Sequence, residues 1–279
     1  MRKLEGTMLT THVDMDGERL AVEGLAVEGL ESFAATINGY YLPFTVEHDI
    51  RNAPIGRVTS AAIVGLEDGE FAVKGTFEVF EQGDTMSSLR GDGRKIRIVC
   101  DDIPTFNVEY DRSYETTEGR ELLAALSRLS PESGAIVQVK KSVAPISTLI
   151  IATTIVSTAI ATGFFGKLGE DLYAGLKNIL KAHFGSCKDS KERLLDFEFT
   201  TTRHGEPIDI HVLLTNPTPE EIEALFSCRF GDLDSYLSRC EGLDSAARFV
   251  FEYKNGRLES LYVLRGDCVP LKLRRAVSR

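Results

Sequence analysis

Through much of the first 112 residues, apolar and polar positions alternate with a period of two, the mark of strands with one buried face. GRVTSAAIVGL and EDGEFAVKGTFEVFE are two such runs. They are joined by Glu67-Asp68-Gly69-Glu70, a D-G turn that predicts a hairpin. GYYLPFTVEH, RKIRIVCDD and TFNVEYD predict further strands, the last two divided by Pro104. Upstream, AVEGL occurs in tandem at Ala21–Leu25 and Ala26–Leu30. The repeat is too short for a solenoid, and its glycines predict turns or bulges between short strands. Short strands at this spacing predict a β-rich barrel or sandwich.

The period changes at TTEGRELLAALSRLSPESG. Leu122, Leu123, Leu126 and Leu129 recur as on a helix of about residues 117–130, capped by Thr116 or Thr117 and stopped before Pro131. GAIVQVKK predicts a short strand. The run from Ser142 to Gly166 then carries no charge, between Lys140-Lys141 and Lys167. It exceeds the roughly 20 residues that a membrane-spanning helix needs. Its serines, threonines and small residues also suit a buried helix or two strands rich in Ile, Val and Thr. The leading expectation is a hydrophobic helical middle that touches lipid or a partner through Ile150, Ile151, Ile155, Val156, Ile160, Phe164 and Phe165. FFGKLGEDLYAGLKNILKAHFG follows as an amphipathic helix with Phe165, Leu168, Leu172, Leu176, Ile179 and Leu180 on one face. Such a helix lies on a membrane surface or packs in an αα-hairpin.

GSCKDSKER is a polar hinge. LLDFEFTTTRHGEPIDIHVLLT predicts a hairpin turning at His204-Gly205-Glu206-Pro207. Thr218, Pro219, Glu220 and Glu221 open a helix through EEIEALFSCRF, and a second helical segment spans about Asp232 to Arg239. AARFVFEYKNGRLESLYVLR predicts a hairpin around Asn255-Gly256. The fold class expected is α+β in three parts: a β-rich domain (1–141), a hydrophobic and amphipathic helical segment (142–184), and an α+β module in the order β-β-α-α-β-β (185–279).

Charge narrows the partners. Of 279 residues, 32 are Lys or Arg and 42 are Asp or Glu, for a formal charge of −10. That balance disfavours a phosphate backbone, so no nucleic-acid partner is expected. The basic end KLRRAVSR reads as a solvated tail or a contact with anionic lipid. Five cysteines without C-x-x-C spacing argue against a disulfide framework or a zinc ribbon and fit a reducing cytoplasm. The first residues lack the apolar core of a signal peptide.

PFTVEHDIRNAPIGRVTSA, followed by DGEFAVKGTFEVFE, resembles the histidine-bearing hairpin of phage prohead (head-maturation) proteases over roughly residues 38–82. The resemblance implies a serine protease on a small β-barrel, with His48 as general base. The family's serine sits on a later strand in an apolar motif. Here RKIRIVC and TFNVEYD carry none; Ser133, Ser142 and Cys100 are the nearest substitutes. Without the resemblance, His48 between Glu47 and Asp49 reads as an exposed residue at a strand end. His204 and His211, with Asp209 near, offer fewer than the three or four ligands a metal needs, so they read as structural. No metal or cofactor is expected, and P-loop, G-x-S-x-G, H-E-x-x-H and dinucleotide motifs do not occur.

The function these features favour is a membrane-associating effector or sensor of bacterial or phage origin, including anti-phage defence. Its protease-like domain would be non-catalytic and bind a protein partner. It would be cytoplasmic, at the inner membrane, and could self-associate. The alternatives are an active prohead-type serine protease using His48, and a soluble interaction or assembly protein whose apolar segment is core.

Overall fold

The computed structural model describes residues 1–10, 27–46, 49–66, 70–81, 89, 91–98, 106–129, 136–139, 146–154, 170–186, 191–203, 205–227 and 245–271. The chain forms two compact units. The first comprises 1–46, 52–97 and 264–271, and the second 47–51, 98–263 and 272–279.

The first unit is built on an antiparallel sheet in the order β1-β4-β3-β2, made of β1 (Arg2–Thr10), β2 (Leu42–Phe44), β3 (Gly56–Gly65) and β4 (Phe71–Val79). Among the described residues it is an open four-stranded sheet, so of the barrel or sandwich expected the barrel is not closed. β3 and β4 are the hairpin predicted around the D-G turn. The described residues of RKIRIVC form no strand, only an isolated bridge between Tyr41 and Ile96. The tandem-glycine region also departs from expectation. Val27–Gly39 is a helix, α1, because Leu30, Phe33, Ala34 and Ile37 follow the helical period through the second repeat and beyond it. Leu30, Ala34 and Ile37 are buried with Val58, Ala61 and Val73, and Phe33, Ile63, Phe71 and Phe77 close the cluster.

A polar core accompanies this apolar one. Arg57 is only 2 % exposed. Cross-strand pairing sets it opposite Glu78, and its guanidinium reaches that carboxylate at 2.9 Å from both Nε and Nη2. Its Nη1 donates to the Asp267 carbonyl at 3.1 Å. The Tyr41 ring lies between Arg57 and Arg94, 4.5 and 4.6 Å from their guanidinium carbons.

The second unit carries a mixed sheet in the order β11-β10-β9-β8-β7-β5-β6. Its strands are β5 (Phe106–Tyr110), β6 (Ile136–Val139), β7 (Ser147–Thr154), β8 (Arg193–Arg203), β9 (Glu206–Thr215), β10 (Ala246–Lys254) and β11 (Arg257–Arg265), with helices α2 (Thr117–Ser127), α3 (Glu170–Ser186) and α4 (Pro219–Ser227). Residues 264–271, which belong to the first unit, make a return in which Arg265 N donates to Val269 O. Most local expectations hold. Thr116 caps α2, with its hydroxyl accepting from Gly119 N. Thr218 and Glu221 exchange capping hydrogen bonds at the start of α4. Asn255 and Gly256 both take positive φ, 52° and 75°, at the β10–β11 turn, as a tight hairpin turn requires.

The helical middle is corrected in its first half. Ser147–Thr154 is a strand, pairing antiparallel with β5 and parallel with β8. Leu149, Ile150 and Ile151 are 0, 4 and 2 % exposed. Ile and Thr, β-branched at high density, fit a sheet buried on both sides as readily as a lipid-facing helix. The uncharged residues after this strand, 155–166, are fewer than a span needs. Among the described residues, no helix is long and apolar enough to cross a membrane. The amphipathic expectation is met by α3, whose Leu176 and Leu180 are fully buried. α3 packs on α4: the Tyr173 hydroxyl donates to Phe226 O, and the two rings lie 5.2 Å apart. Phe226 in turn meets Phe197 of β8 edge-on at 5.7 Å.

Candidate metal centre

The two faces of β8 differ sharply. Phe197 and Phe199 point to the helices, so Asp196, Glu198 and Thr200 point the other way. Antiparallel pairing with β9 sets Glu198 opposite His211 and Thr200 opposite Asp209. Parallel pairing of β9 with β10 brings Arg248 beside Asp209. Strand register thus gathers acids, an imidazole and a guanidinium on one face.

The groups are well buried. Asp196, Asp209 and His211 are 1, 3 and 3 % exposed, while Glu198 is half-buried. The His211 Nδ1 lies 3.1 and 3.2 Å from the two oxygens of Asp196. Its Nε2 is buried and has no hydrogen-bond partner among the described residues. Asp209 is held by the Arg248 Nη2 at 2.9 Å and more loosely by the Thr200 hydroxyl at 3.3 Å. One ligand atom from each of Glu198, Asp209 and His211 falls within 4.8 Å of the other two. Tyr262 closes the neighbourhood, donating to the Ile50 carbonyl at 2.7 Å.

Loss of water raises the Glu198 pKa above its usual value. For His211, burial works against the imidazolium, but the charges of Asp196 and Glu198 and the Asp196 hydrogen bond outweigh it and raise the pKa. Burial pushes the Tyr262 phenol well above its ordinary range. Glu198 and His211 both hold protons more tightly folded than unfolded, so their contribution favours folding at low pH and fades as pH rises. The ion-free protein should lose stability from pH 5.5 to 8.5, a span that contains the ordinary histidine value of 6.5. Asp92, Glu192 and Glu223 have lowered values and are ionised in both states over that span, so they add no slope. Urea midpoints measured with chelator across this range check the sign; a rising midpoint contradicts it.

Comparison with protein-family models, curated proteins and solved structures gave no match. The centre therefore rests on its own geometry.

Several residues singled out in the sequence lie elsewhere. His48, Ser133, Ser142, Cys100 and His204 are outside the described residues, as are Ile155, Val156, Ile160, Phe164 and Phe165. Ile150 and Ile151 lie inside the sheet. His211 and Asp209, set aside as too few ligands, gain Glu198 from the neighbouring strand. The signal was present: LLDFEF and IDIHVLL each carry two charged or imidazole groups two residues apart in an otherwise apolar run. On paired strands that spacing puts all four on one face.

Proposed function

We propose that the second unit binds a divalent metal ion through Glu198, Asp209 and His211. The observation that carries this reading is the gathering of ligand atoms of Glu198, Asp209 and His211 within 4.8 Å of one another, beside a buried His211 Nε2 that has no hydrogen-bond partner among the described residues while Asp196 holds Nδ1. A buried imidazole nitrogen without a partner is costly, and metal-binding histidines characteristically give their other nitrogen to a carboxylate. Formal charge points the same way. Among the described residues Asp196, Glu198 and Asp209 face one permanent cation, Arg248, which leaves a deficit that a dication with neutral His211 would fill. Three protein ligands leave room for water or a ligand on the ion.

The test is thermal unfolding of the full chain, stripped of metal and then titrated with Zn2+. An ion at 100 times its dissociation constant adds about 2.7 kcal/mol, or a rise in Tm of about 5–10 °C for a unit of this size. The rise should be saturable and lost in Glu198→Gln/His211→Gln. No rise, or an equal rise in that variant, rules out the site.

A second reading draws on β7. Burial of Ile146, Leu149, Ile150 and Ile151 supports an interaction or assembly protein whose apolar segment serves the core rather than lipid. It predicts that full-length protein stays off vesicles in a flotation assay; co-flotation would restore the membrane reading.

A further inference from the structure

We infer that Asp196 sets the selectivity of this centre, making it a site for imidazole-preferring ions such as Zn2+ or Co2+ rather than Mg2+ or Ca2+. The inference rests on the metal reading above. Asp196 is 1 % exposed and faces His211 Nδ1 with both carboxylate oxygens, at 3.1 and 3.2 Å. A carboxylate only accepts hydrogen bonds, so it fixes the tautomer with hydrogen on Nδ1 and leaves the Nε2 lone pair as the donor to an ion. One imidazole and two carboxylates form a nitrogen–oxygen set that suits transition ions. Mg2+ and Ca2+ prefer six or more oxygens and gain little from a ring nitrogen. Asp209 is braced comparably by Arg248 and Thr200, so the centre has a supporting shell as well as ligands. Asp196 does not enter the ligand set itself; it acts through His211 as a positioning residue.

The experiment uses the full chain labelled with 15N-histidine. Zn2+, Co2+, Mg2+ and Ca2+ are titrated into wild type and Asp196→Asn, with folding of both checked by circular dichroism. In wild type, Zn2+ should shift Nε2 of one histidine while its Nδ1 keeps the proton, and Zn2+ should bind at least tenfold tighter than Mg2+ or Ca2+. Asp196→Asn should lose about 10–100-fold in Zn2+ affinity, the range measured when outer partners of metal ligands are removed. Mg2+ or Ca2+ binding as tightly as Zn2+, a shift at Nδ1, or unchanged Zn2+ affinity in Asp196→Asn overturns the inference while the metal reading survives. Wild type that binds none of the four ions overturns both. Should Asp196→Asn fail to fold, the wild-type spectrum still tests the tautomer and the ion preference on which the inference stands, and a shift at Nδ1 overturns it.

Discussion

Arg57→Ala should destabilise the first unit by about 3–5 kcal/mol, the cost of removing one partner from a buried ion pair. Arg57 is 2 % exposed and Glu78 is 8 % exposed. With the guanidinium gone, the Glu78 carboxylate would lose both 2.9 Å contacts and keep as counter-charge only the exposed Lys3 ammonium, 4.0 Å away. The Asp267 carbonyl would lose its donor, and the Tyr41 ring one of its two cations. The penalty is mainly the stranded charge rather than the lost attraction, so Arg57→Met with Glu78→Leu should recover most of it. The chain has no tryptophan, so urea unfolding followed by far-ultraviolet circular dichroism is the suitable readout. A loss under about 1 kcal/mol for Arg57→Ala would show that solvent reaches this pair.

Gly119→Ala should destabilise the second unit by about 3 kcal/mol, the upper end of the usual cost of overpacking. In an exposed helix the same change helps by about 1 kcal/mol. Here the sign reverses, because a Cβ on Gly119 would lie 2.0 Å from the Tyr114 carbonyl oxygen and 2.6 Å from its carbon. The turn at Tyr114 cannot easily retreat. Tyr114 N donates to Asp111 O, the Asp111 carboxylate accepts from Ser113 N at 2.7 Å and from Thr148 N of β7, and Asp111 N donates to Thr148 O. Gly175→Ala in α3 is the contrast. Its nearest contact is 2.6 Å to the terminal methyl of Leu129, a side chain that can turn away. It should be close to neutral by the same denaturation measurement.

Elements whose signal is local were legible in the sequence. The β3–β4 and β10–β11 hairpins follow from their turn residues, α2 and α4 from their threonine caps, and α3 from its leucine period. α1 replaces the turns that the glycines of AVEGL predict, because burial of Leu30, Phe33, Ala34 and Ile37 against the sheet outweighs a weak local propensity. β7 replaces the expected helix for a different reason. An uncharged run says that a segment avoids water but not whether lipid, a helix layer or two neighbouring strands provide the shelter.

The sequence by itself determined the α+β character, most turns and caps, and the alternation that gives β8 one aromatic and one acidic face, because each depends on a residue and its near neighbours. Only the tertiary structure decided which strands flank β7, that Arg57 stands against Glu78, and that Glu198 meets Asp209 and His211. Those outcomes depend on register between strands, and a shift of one residue would turn each of these side chains to the opposite face of its sheet.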